Sequence, residues 1–198
     1  MMDLSLASLI AETQLTLRDP RNAARRMMAL NLPMAARWLA LGIMSIGSAM
    51  LTHVSLALIP LGDRDPVIDF MSNPITTALL QGVTLVVLVG VVFWVGRLRG
   101  GKGSFADALV VMTWLQFVML CLQLVQLLVL LALPPVAGLV NLAAFALFLW
   151  LLTNFVAELH GFRSLITVFG GIILSIIAVG FLISLLLVIL GYGQGMGV

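Results

Sequence analysis

Between residues 33 and 190 the chain reads as long apolar blocks with no alternation of polar and apolar positions. An amphipathic surface helix would show a polar face every few residues, and these blocks show none. A helix needs about 20 apolar residues to cross a hydrocarbon core about 30 Å thick. Five blocks meet that length, over about 33–60, 75–96, 105–133, 136–159 and 165–190. The breaks between them, "PLGDRDPVIDFMSNP", "GRLRGGKG", "LPPV" and "HGFRS", carry turn and helix-stop residues. Pro134 and Pro135 leave almost no loop, so the third and fourth spans are expected to form a tight antiparallel hairpin.

The segment before the first span has a different pattern. Leu6, Leu9, Ile10, Thr13 and Leu17 recur at helical spacing, and Asp19-Pro20 is a cap followed by a first-turn proline. Beyond it Arg21, Arg25 and Arg26 fall on one side of a second short helix, with Ala23, Ala24, Met27 and Leu30 on the other. Pro33 is expected to end that helix. This is the pattern of a helix lying in the membrane interface. Packing of residues 1–18 against the end of the bundle accounts for the first stripe equally well. The expected fold is thus all-α: residues 1–32 an amphipathic interfacial arm, 33–190 a transmembrane bundle of five helices, and 191–198 a flexible glycine-rich tail.

Composition agrees with the pattern. Of the 198 residues, 62% are hydrophobic and 9% charged, against roughly 25% charged in a soluble domain. Mean hydropathy is +1.21. The net charge of +2 belongs to the loops and implies no nucleic-acid partner. Cys121 is the single cysteine and lies inside an apolar block, so it reads as an inert buried thiol. The opening "MMDLSLASLIAETQ" lacks a basic n-region and a long h-region before Glu12, so no cleavable signal peptide is expected.

Charge sets the expected orientation. Arg18, Arg21, Arg25, Arg26 and Arg37 cluster around the approach to the first span. The next loop carries Asp63, Arg64, Asp65 and Asp69; the one after carries Arg97, Arg99 and Lys102; Arg163 follows the fourth span. With the N terminus inside, only Arg64 falls outside, which satisfies the positive-inside rule. The expectation is an N terminus in the cytoplasm, a C terminus outside, and, from the very short loops, a bacterial inner membrane.

Candidate chemistry is sparse. "GRLRGGKGSF" fits neither phosphate-loop nor dinucleotide spacing, and no strand precedes it. Its basic residues, with Arg18, Arg21, Arg25 and Arg26, read as topological anchors and contacts to anionic lipid, at about 1 kcal/mol each near the surface. Ser104 is positioned to cap the third span, with Asp107 where a capping box places its acid. Gln116, Gln123 and Gln126 form a polar stripe on the third span, with His53, Gln81, Asn141 and Asn154 elsewhere in the spans. Interhelical hydrogen bonding explains them more simply than a transport path. Asp107, Glu158, His160 and Arg163 gather by topology at the inner boundary. A salt-bridged cap accounts for that cluster, as do metal or proton chemistry, but no paired ligand spacing such as HExxH is present. No cofactor, metal or catalytic set is therefore assigned, and the chain is not expected to be an enzyme. Small-residue steps, Ser45 to Ala49, Gly171 to Ser175 and Gly180 to Ser184, mark faces where helices approach closely.

"DPRNAARRM" before the first span, "GGKGSFADAL" entering the third, and "ELHGFRSLITVFGG" joining the fourth and fifth together resemble the Yip family, named for interaction with Ypt/Rab GTPases, in its bacterial branch. The resemblance runs from about residue 18 to 190. It implies five helices with a cytoplasmic N terminus. Eukaryotic members are associated with Rab GTPases, trafficking and organelle shape, but their "DLYGP"-type motif and longer soluble arm do not occur in this sequence. The expected function is a non-enzymatic structural or adaptor protein that binds membrane lipids and other membrane proteins or itself. The alternative is a small transporter, channel or lipid translocator working as an oligomer.

Overall fold

The structure, a computed structural model, describes residues 5–58 and 73–189, apart from the side chains of residues 186 and 187. The acidic loop with Asp63, Arg64, Asp65 and Asp69, and the glycine-rich tail with "GYGQG", lie outside the described residues. Seven helices occur among the described residues, with no strand. They are α1 (Leu6–Arg18), α2 (Pro20–Met28), α3 (Met34–Leu58), α4 (Pro74–Leu98), α5 (Phe105–Ala132), α6 (Pro134–His160) and α7 (Leu165–Ile189). The last five are long and apolar enough to cross a membrane, each in one pass. The chain is a polytopic helical membrane protein.

Local chemistry explains most boundaries. Asp19 caps α2 by accepting from the Asn22 amide at 3.1 Å, with Pro20 in the first turn. The helix ends at Met28, earlier than Pro33 requires, because the chain turns at Asn31, whose φ of 47° is left-handed. Asparagine tolerates that conformation better than most side chains. Ser104 accepts from the Asp107 amide at 3.0 Å and donates to its carboxylate at 2.6 Å, which starts α5. Leu133 alone joins α5 to α6, and α6 begins at Pro134 rather than Val136 because proline fits a first helical position.

On the side of the bundle that carries the arm, α4 and α6 end alike. Gly100 (φ 84°) follows α4, with the Gly101 amide donating to Gly96 O at 2.9 Å and the Gly100 amide to Arg97 O at 3.0 Å. Gly161 (φ 73°) follows α6, with the Phe162 amide donating to Ala157 O at 2.8 Å. Both are Schellman closures, which need a residue free to take positive φ. The sequence places the end of α4 at Gly96; the helix continues to Leu98.

The core is concentrated near the arm. Leu109, Val111, Leu115 and Val118 of α5 pack with Leu151, Phe155 and Leu159 of α6, joined by Leu41 of α3 and by Leu85, Val89 and Val92 of α4. Ala24 and Met27 of α2 enter the same cluster. The arm is therefore docked on the bundle. Helix α7 is the least covered: Val168 and Ile172 join the core, but Ile177, Phe181 and Ile183 beyond them are exposed.

Candidate functional site: the arm-side cap

The apolar face of α2 brings the arm's polar groups against the ends of α5 and α6. Arg21 donates from Nη2 to Phe162 O at 2.9 Å, just past α6. Arg25 donates from Nε to Glu158 at 2.9 Å. That hydrogen bond, then the charge of the Glu158 carboxylate, hold the Arg25 guanidinium pKa above its ordinary value. Arg26 pairs with Glu12 and so ties α2 to α1. Thr16, fully buried, accepts from Trp114 Nε1 of α5 at 2.9 Å and donates to Glu12 O at 2.7 Å. Three links therefore fasten the arm to the spans: Arg21 to Phe162, Arg25 to Glu158, and Trp114 to Thr16.

A second group sits where α3 meets α5. Arg37, buried in the first turn of α3, donates from Nε to Leu32 O at 2.7 Å and places Nη1 3.6 Å from Asp107 Oδ1. Asp107 both caps α5 and balances this cation. A buried arginine left without its partner is costly, so the pair fixes the register of α3 against α5.

His160 forms the third group. The ring is 2% exposed, contacts Val92 O through Nε2 at 3.1 Å, and stacks on Phe162 at 5.6 Å. Glycines surround it. A Cβ on Gly96 would stand 2.1 Å from His160 Nε2, and one on Gly101 2.3 Å from Nδ1 and 2.6 Å from the histidine Cβ. At Gly103 a Cβ would meet Leu159 O at 2.8 Å. The Lys102 amide donates to His160 O at 3.2 Å. The loop "GRLRGGKG" is thus a cradle for one side chain of α6.

The four residues grouped by topology are not one centre. Asp107 faces Arg37, Glu158 faces Arg25, and His160 lies in its cradle, while Arg163 is exposed after α6. Among the described residues no three His, Cys, Asp or Glu side chains converge as metal ligands. Of the basic residues, Arg21, Arg25 and Arg26 have protein partners, whereas Arg18, Arg97, Arg99 and Lys102 are exposed without a carboxylate within 4.0 Å among the described residues.

The glutamine stripe divides. Gln116 donates to Ser48 at 2.7 Å and Gln123 to Thr52 at 3.2 Å, both across the α3–α5 contact. Gln126 donates to Asn141 at 2.9 Å within the α5–α6 hairpin. Ser45 donates to Ala78 O at 2.8 Å, opposite Gly82, where α3 and α4 approach closely. Gly180 has nothing within 4 Å of where a Cβ would stand. His53 has a buried Nε2 with no hydrogen-bond partner among the described residues.

Sequence reasoning missed Arg37 as a buried cation, Thr16 and Trp114 as a tether, and the glycines as a histidine cradle. The spacing of Gly96, Gly101 and Gly103 was visible, but the partner that explains it is about sixty residues away in sequence.

A family model described as the Yip1 domain matches residues 15–194. No curated protein and no solved structure matches the chain.

Proposed function

From the premise that the chain belongs to the Yip1 domain family, we propose that it is a non-enzymatic adaptor of the membrane, whose working surface is the arm-side cap. One observation carries this reading: the carboxylates that meet at the cap are spent on internal ion pairs, within the arm, between two spans and from arm to span. Glu12, Asp107 and Glu158 each face an arginine. What the cap presents outward is a basic surface, including Arg18 of α1, Arg97 of α4 and Lys102 of the loop that follows α4. Such a surface suits acidic partner proteins, and electrostatic complementarity governs the encounter. The bonds that Gln116 and Gln123 make across α3–α5 favour assembly over a transport path. The charge bias favours a cytoplasmic N terminus, and the very short loops favour a bacterial inner membrane.

The test is photocrosslinking in native membranes, with a crosslinker at position 18, 97 or 102 and a control at lipid-facing Leu139 of α6. A discrete protein adduct from the cap positions and none from 139 is the expected result. Monomer alone at all cap positions would reject the adaptor reading.

A further inference from the structure

Helices α4 and α7 do not close on each other. Between them runs a cleft of about 830 Å³, floored by Leu152 and Val156 of α6. It is lined from Leu80 of α4 to Arg99 just past the helix end, nineteen steps of about 1.5 Å or about 28 Å, close to the roughly 30 Å of a hydrocarbon core.

Its walls are apolar and its hydroxyls are already engaged. Thr84 donates to Leu80 O at 2.8 Å, Ser175 to Gly171 O at 2.7 Å, and Thr167 to Ser164 at 3.0 Å. An occupant of the cleft is asked for no hydrogen bonds along its length.

The arm-side mouth is different. Arg99 and Arg163 line it, and neither has a carboxylate within 4.0 Å among the described residues. Arg99 reaches across from the end of α4 to α7: its Nη1 lies 4.0 Å from where a Cβ of Gly171 would stand. The mouth is level with the arm-side helix ends, which is headgroup depth.

From this geometry we infer that the α4–α7 cleft is a binding site for one anionic phospholipid of the arm-side leaflet, its phosphate held by Arg99 and Arg163 and an acyl chain laid along the valine-rich wall of α4. Two uncompensated cations at one end of an apolar groove match the two ends of such a lipid. A zwitterionic lipid offers the same chains but cancels its phosphate with its own cation. A transmembrane helix from another chain would need close approach along α7, and at Gly171 that space faces the Arg99 guanidinium. The site is independent of the partner-binding reading above, since it lies within the spans and engages neither Arg18 nor Lys102.

The experiment is native mass spectrometry of the full chain released from micelles containing phosphatidylglycerol or phosphatidylcholine with matched acyl chains. The unmodified protein is expected to retain one phosphatidylglycerol in preference to phosphatidylcholine by about 30-fold, roughly fivefold for each basic residue at the headgroup. Arg99→Gln with Arg163→Gln should remove the preference. Arg97→Gln with Lys102→Gln, on the same side but outside the cleft, should keep it. Val91→Trp, which fills the cleft and leaves both arginines, should lower retention of both lipids. Arg99 and Arg163 are exposed, so their replacement leaves the core intact, and an unchanged melting curve checks this. Equal retention of the two lipids, a preference that survives the Arg99/Arg163 pair, loss with the Arg97/Lys102 pair, or a lipid-free dimer would each overturn the inference.

Discussion

Replacing Gly96 by alanine puts a methyl group 2.1 Å from Nε2 of a His160 ring that is 2% exposed. The ring must leave its contact with Val92 O and its stack on Phe162, or α4 must move away from α6. Overpacking of this kind costs about 1–3 kcal/mol, and the lost hydrogen bond adds about 1 kcal/mol. Better helix propensity offsets about 1 kcal/mol. The expected net destabilisation is about 2 kcal/mol. His160→Ala removes every ring atom that the new methyl meets. In that background Gly96→Ala should be neutral or slightly stabilising, a coupling of about 2 kcal/mol and within the range for residues in contact. Gly101→Ala should behave differently. Its methyl would lie 2.6 Å from the His160 Cβ, which alanine retains, so His160→Ala cannot relieve it. The assay is reversible unfolding in mixed micelles, run on the three single variants and the two pairs. Equal costs for Gly96→Ala with and without the imidazole, or rescue of Gly101→Ala by His160→Ala, would refute the cradle.

Trp114→Phe deletes the buried donor to Thr16 and should cost about 1 kcal/mol. Hydrogen exchange should then rise about fivefold in α1 and remain unchanged in the second half of α6; unchanged exchange in α1 would show that the bond does not tether the arm. Gln116→Leu should cost under about 1 kcal/mol, as interhelical hydrogen bonds in membranes usually do. Gly82→Leu, opposite Ser45 at 3.2 Å, should cost more because it separates α3 from α4. The reverse order in the same unfolding assay would mean that polar bonding, not close approach, holds these spans. The photocrosslinking and lipid-retention experiments test the cap and the cleft separately, so either reading can fail alone.

Much of the architecture was legible in one dimension because a bilayer imposes a length. Five apolar runs long enough to cross it mean five spans, whatever their packing. Capping is also local: Asp19 before Pro20, and Ser104 three residues before Asp107, announce helix starts through contacts within a single turn. The same locality made the α5–α6 hairpin readable from Pro134 and Pro135. Pairing across the fold was not readable. Asp107 and Glu158 have equivalent depth in the sequence, yet one faces Arg37 of α3 and the other Arg25 of the arm. Those choices depend on which helices are neighbours, and uniformly apolar faces carry no signal for that. The amphipathic stripe of α2 pointed to the membrane interface, because lipid and protein alike offer an apolar surface; Ala24 and Met27 are buried against protein. The glycines of "GRLRGGKG" advertised a loop end through Gly100, a property of the backbone alone. That Gly96 and Gly101 make room for His160 is decided only when α4 and α6 come together, since the space a missing side chain leaves has meaning only for the neighbour that fills it.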